Sequence, residues 1–194
     1  MKHLFSNILS RLSNCFWKKL PIRFLLVIAF SAFIAPVFSQ TAKEYEIKSV
    51  LLEKISRFIT WPENVNTNNK SAPFIIGVLG KNPFEKNLEN IFNTYPIHGR
   101  KVQVKYYSAL HEITTCNILF ISSSEKGKIN ELIKYFNSKP VLLVGDTKGY
   151  FESGVHVFFY INKENELRFR INVDAIRRSN LTANSFLLDY ANKE

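Results

Sequence analysis

Ser122, Asp146 and the histidines His98, His111 and His156 are the residue types from which a nucleophile, a base and an orienting acid are assembled. An α/β-hydrolase would hold its serine on a strained turn, in a strand, Gly-x-Ser-x-Gly, helix phrase. No such phrase occurs here, and Ser122-Ser123-Ser124-Glu125 has the spacing of a helix capping box instead. The expectation is therefore a protein without catalytic residues. A metal site would need histidines, cysteines or carboxylates at ligand spacing. His98, His111 and His156 lie far apart with no such neighbours, so neither a metal nor a cofactor is expected. Gly77 and Gly80 flank a strand end in a pattern that is neither a dinucleotide fingerprint nor a phosphate loop, and close turning of the backbone accounts for them.

Two sets of residues point to binding. Arg168 and Arg170 fall on one face of a strand, and Arg177 and Arg178 follow on a helix that starts near Asn172, whose first amides face outward. Together they are a candidate site for an anion or an acidic ligand, although the same alternation of charge also protects a sheet edge. Arg57, Phe58, Trp61 and Pro62 close the first long helical stretch beside a polar run, and aromatics with arginine are the residues that dominate binding hot spots. They form the candidate partner surface. A core role competes for the two aromatics, because both lie within that helix's apolar arc.

The elements that must position these residues follow from periodicity. Between Glu44 and Pro62, at about 100° per residue, Ile47, Val50, Leu51, Leu52, Ile55, Phe58, Ile59 and Trp61 fill an apolar arc of roughly 200°. Glu46, Ser49, Glu53, Ser56, Arg57 and Thr60 fill the other side. An arc that wide predicts a central helix covered on more than one side, ending where Pro62 disfavours helical geometry at Trp61. The polar run from Glu63 to Ser71 reads as an exposed loop. Phe74 to Leu79, Asn117 to Ile121 and Pro140 to Gly145 read as buried strands, and Lys101 to Tyr107 as a strand with one wet face. Asn82, Pro83 and Glu85 are placed to start a helix that runs to about Asn93. Alternation over Val155 to Ile161 and Glu166 to Ile171, across a short polar turn, predicts a hairpin. A last helical region from about Val173 to Ala191 is interrupted near Asn180 to Thr182, where Thr182 is the candidate cap of a final helix expected to bury Phe186, Leu187 and Tyr190. The fold class is α/β: a single three-layer domain with a mostly parallel central sheet, an antiparallel C-terminal hairpin and helices on both faces.

Residues 1–39 carry five basic and no acidic side chains, then the apolar run Phe24 to Ala35 and the short phrase Pro36-Val37-Phe38-Ser39. That is the pattern of a secretory signal peptide cut after Ser39, leaving 40–194 as the folded domain. The chain's formal charge of +10 falls to +5 without the leader, too diffuse for nucleic acid. Cys15 lies in the leader, so Cys116 is the domain's lone cysteine and no internal disulfide is expected.

Several phrases recur in one family. They are Lys48 to Pro62, Gly77-Val-Leu-Gly80 with Asn82-Pro-Phe84, Gly99-Arg100-Lys-Val102, Cys116 to Ser122, Val141 to Asp146, Phe169-Arg-Ile-Asn172 and Leu181 to Leu188. In this order, and over nearly all of the domain, the chain resembles the YfiR family of periplasmic proteins. The resemblance implies a regulator that binds the periplasmic part of an inner-membrane diguanylate cyclase and holds it inactive, or that acts on another membrane sensor such as a histidine kinase. Disulfides contribute to redox response in members of that family; Cys116 has no partner for one.

The expected function is thus a non-catalytic periplasmic regulator, soluble once processed, with a homodimer left open. The alternative is a periplasmic small-molecule-binding module, with its ligand near Gly80, Ser122 and Asp146 at the carboxyl ends of the strands, where open α/β sheets bind.

Overall fold

A computed structural model describes residues 42–62 and 71–191, which belong to one compact unit. The signal-peptide reading and most of the Glu63 to Ser71 loop fall outside the described residues.

Helix α1 spans residues 42–57 and runs straight into a two-residue strand β1 (Ile59–Thr60). Then come β2 (Phe74–Leu79), α2 (Asn87–Thr94), β3 (Val102–Tyr107), β4 (Ile118–Ile121), α3 (Ile129–Phe136), β5 (Leu142–Gly145) and α4 (Tyr150–Ser153). The chain finishes with β6 (Val157–Ile161), β7 (Leu167–Ile171), α5 (Val173–Arg178), β8 (Thr182–Ala183) and α6 (Ser185–Ala191). The main sheet has the order β3-β2-β4-β5-β6-β7, parallel up to β6, with β7 antiparallel at the margin. The expected α/β architecture is present, hairpin included.

Every residue of β2, β4 and β5 is buried, which is why they read as unbroken apolar runs rather than alternating ones. Register assigns their side chains to two cores. Ile76, Ile118 and Leu142 stand side by side, as do Val78, Phe120, Val144 and Val157, and both rows face α1 and α2. Leu79, Leu119, Ile121 and Leu143 point the other way, to α3 and α4. Edge strand β3 buries only Tyr107.

Five local expectations are corrected. The first helix ends at residue 57, not at Trp61, because β-branched Ile59 and Thr60 pair in antiparallel register with Ala183 and Thr182 of β8. Helix α2 begins at Asn87 rather than Pro83. Asn82 is spent on a turn, its Oδ1 accepting from Phe84 N at 2.9 Å and its Nδ2 donating to Glu85 O at 3.0 Å, and Glu85 takes a left-handed φ of 53°. The segment after Ser122 is a 3-10 turn, Ser123–Lys128, before α3, and the Ser122 side chain does not cap it. Thr182, expected to cap the last helix, lies in β8 instead, paired with Thr60. The short helix α4, set between Gly149 and Gly154 at φ of 96° and 111°, is an addition.

The largest difference is rotational. Helix α1 turns Ser49, Leu52, Glu53, Ile55 and Ser56 to the core and leaves Ile47, Val50 and Phe58 at the surface. Small serines permit this, because Ser49 Oγ donates to Tyr45 O at 2.8 Å and Ser56 Oγ to Glu53 O at 2.7 Å, satisfying both hydroxyls within the helix. Glu53 is paired with Arg57 one turn on.

Candidate functional site

At the carboxyl ends of the parallel strands, where the alternative reading places a ligand, the protein's own side chains bond to one another. From α1, Tyr45 Oη donates to Asp146 Oδ2 at 2.8 Å and Lys48 Nζ donates to the same oxygen at 2.6 Å. Tyr150 Oη donates to Ser122 O at 2.8 Å, and Gly80, at φ 90°, lies so near Ser124 that a Cβ there would come within 2.2 Å of its Oγ. Desolvation and then the Asp146 charge push the Tyr45 phenol far above its ordinary value.

The residue types of a triad are dispersed over other hydrogen bonds. His156 lies just before β6, buried beside β5, Nδ1 accepting from Leu143 N at 3.0 Å and Nε2 3.2 Å from Ser179 Oγ. The first bond makes Nδ1 the acceptor, so Nε2 carries the hydrogen and donates to Ser179. Burial, with the nearby Arg178 charge second, lowers its pKa to about 4, so the ring is neutral at pH 7. His98 Nε2 lies 3.0 Å from Ile59 O, and His111 is exposed. Among the described residues no group of three or more His, Cys, Asp or Glu side chains is placed to hold a metal ion.

The arginine set divides. Arg168 pairs with Glu166 at 2.6 Å, and Arg170 lies over the Tyr160 ring, 4.9 Å from its centroid. Across the hairpin Arg170 faces Phe158 and Arg168 faces Tyr160, so these two strands carry an aromatic and cationic ladder. Arg177 and Arg178 end α5, whose first amides are partly met by its own cap, Ala175 N donating to Asn172 Oδ1 at 3.0 Å.

The partner set divides too. Arg57 and Phe58 are at the surface, Phe58 40% exposed. Trp61 is 6% exposed and backs the surface instead of forming it: Nε1 donates to Asn117 O at 3.3 Å and the ring meets Phe74 edge-on at 5.0 Å. Pro62 is half-buried beside it.

Phe58 belongs to an apolar groove of about 380 Å³ formed by Leu51, Lys54 and Ile55 of α1, Phe58 just past its end, Phe169 of β7 and Phe186, Leu187 and Tyr190 of α6. Of the three α6 residues expected to be inside, Leu187 is buried, but Phe186 is 75% and Tyr190 57% exposed. Tyr190 stacks on Phe169 at 5.8 Å between centroids. Ile47 and Val50 extend the apolar surface along α1, and Lys54 supplies a charge at the groove itself. The spacing of Ile47, Val50, Leu51, Lys54 and Phe58 on one side of α1 is the sequence signal for this surface, because the arc was too wide for the core alone.

Comparison with known proteins places the chain in a family. A family model described as YfiR/HmsC-like matches residues 45–192. The chain belongs to the YfiR/HmsC-like family. Membership implies a periplasmic regulator of signalling proteins, and the matched span takes in both walls of the groove. A comparison with curated proteins returns no match. Among the described residues, no helix of this YfiR/HmsC-like chain is long and apolar enough to cross a membrane.

Proposed function

We propose that the chain is an exported, non-catalytic regulator that docks through the α1 and α6 groove on the extracytoplasmic domain of an inner-membrane signalling protein, a diguanylate cyclase or a histidine kinase. The observation that carries this reading is the half-covered helix. The apolar arc of α1 calls for burial on more than one side, and the fold covers one, leaving Ile47, Val50 and Phe58 beside Phe186 and Tyr190. Aromatic anchors around a groove, with lysine and arginine at its margin, are the composition of a protein-binding surface. Lys54 and Arg57 share Glu53 between them, and the one net positive charge left at the margin favours an acidic rim on the partner.

Regulation by such a domain needs no chemistry. It restrains its target only by binding the inactive conformation more tightly than the active one, and a tenfold preference corresponds to about 1.4 kcal/mol.

The test is site-specific photo-crosslinking in the intact cell envelope, with the photoreactive residue at Phe58 or Phe186 and, as control, at Gln103 on the far edge of the sheet. The reading expects an integral membrane sensor captured from the first two positions and not from the third. Capture that contains no membrane sensor, or equal capture from Gln103, overturns it.

A further inference from the structure

At the amino ends of β2, β4 and β5, opposite the end that α1 closes, lies a cavity of about 420 Å³. Ile75, Ile113, Phe136 and Val141 give it an apolar floor. Two cations line it, Lys105 from β3 and Lys139 from the turn after α3, and no carboxylate is among its lining residues. Neither lysine is ion-paired within the described residues. Lys139 Nζ rests 3.2 Å over the Tyr135 ring, which holds the ammonium at the cavity's side. Lys105 is close enough to Cys116 for its charge to act on the thiol at the cavity wall.

We propose that this cavity binds a small organic acid, with the carboxylate taken by Lys105 and Lys139 and the hydrocarbon body laid on Ile113, Phe136 and Val141. The size is that of ordinary small-molecule sites. Lys105 is half-buried and Lys139 exposed, so both keep their charge in water, and together they attract an anion to the cavity as they would not attract a neutral hydrocarbon. An inorganic anion would leave the apolar floor uncovered. An amino acid would bring an ammonium group for which the lining holds no carboxylate. The site is separate from the α1 and α6 groove and does not depend on the reading of that groove.

The wall of the cavity is hydrogen-bonded to the segment that follows β1. Asn117, which lines it, accepts from Ile75 N through Oδ1 at 2.8 Å and from Trp61 Nε1 through its carbonyl. An occupant would therefore lie against a residue bonded to Trp61, which follows β1.

The probe is phenylacetate, titrated into the purified chain by calorimetry and followed by amide chemical shifts, with phenethylamine and inorganic phosphate as comparators. Saturable binding is expected, with shifts centred on Ile75, Thr114 to Asn117 and Val141. Lys105→Met and Lys139→Met should each weaken it at least fivefold while leaving the melting temperature near that of the parent, and phenethylamine should bind at least tenfold more weakly. Phosphate or phenethylamine binding as tightly as phenylacetate overturns the proposal. So does unchanged affinity in both lysine variants, shifts that map elsewhere, or no saturable binding at millimolar acid.

Discussion

Lys48 Nζ lies 2.6 Å from Asp146 Oδ2, with the lysine side chain 3% exposed, so an ion pair is sealed between the first half of α1 and the end of β5. Glu44 reaches the same ammonium at 2.5 Å, and Tyr45 donates to the same carboxylate. Removing Lys48 leaves the Asp146 carboxylate with the Tyr45 hydroxyl but no counter-charge, so Lys48→Met is expected to cost about 3 kcal/mol, whereas Asp146→Asn leaves Lys48 paired with Glu44 and should cost less. Because the two share one network, the double variant should cost clearly less than the sum of the singles. Urea unfolding of the four proteins measures this, and additive losses would refute the coupling.

His156 sets an acid limit on stability. Its pKa is lowered from 6.5 to about 4 in the folded protein. Above pH 6.5 the ring is neutral in both states and its contribution is complete. As pH falls from there towards 4, the unfolded chain takes up a proton that the folded chain refuses, and up to about 3 kcal/mol is lost. His156→Asn, which keeps an acceptor near Leu143 N, should lower stability at pH 7 yet flatten its decline between pH 6.5 and 4. A variant as acid-sensitive as the parent would contradict this assignment.

Cys116 should be a poor nucleophile. Burial pushes its thiol up to about 12, and Sγ is 2.8 Å from Ile118 O. At pH 8 the thiolate fraction is on the order of a thousandfold below that of an ordinary cysteine, and alkylation of the folded chain should be slower in that proportion. Unfolding should restore ordinary labelling, with peptide mapping to separate Cys116 from Cys15.

Gly77 has no room for a side chain. A Cβ there would stand 2.7 Å from Tyr107 Cε2 and 3.0 Å from both Cys116 Sγ and Leu119 Cδ1. Gly77→Ala is therefore an overpacking change in a buried strand, expected to cost about 1–3 kcal/mol in chemical denaturation.

Phe186 separates binding from folding. Being largely exposed, it should tolerate Phe186→Ser with a stability change within about 0.5 kcal/mol. The same variant should lose most of the capture seen from the envelope. A large loss of stability would place Phe186 in the core and count against the groove.

Strands β2, β4 and β5 are legible in the sequence because both of their faces are covered, leaving continuous apolar runs, and the hairpin is legible because only one face of each strand is. The orientation of α1 is not. Hydrophobicity alone sends Phe58 inward and Ser56 outward, whereas the fold uses serines that close on helix carbonyls to bring the backbone near the sheet. Helix α2 starts late because Asn82 and Pro83, good helix-starting residues, serve an Asx turn just as well. Of the site, Arg57 and Phe58 are recognisable from composition at the helix end. Phe186 and Tyr190 are not, since a helix of seven residues at the margin buries chiefly one of its side chains, Leu187, and period alone does not say which. The cavity draws Lys105, Lys139 and Ile75 from three separate segments, so no local pattern announces it.

The two-stranded ribbon of β1 and β8 joins the end of α1 to the start of α6, and Asn184 N adds a bond to Phe58 O at 2.9 Å. Main-chain atoms alone thus gauge the span between the aromatic jaws. On the docking reading proposed above, substitutions at Phe58, Phe186 or Tyr190 change which molecule fits while these main-chain bonds hold the spacing of the walls.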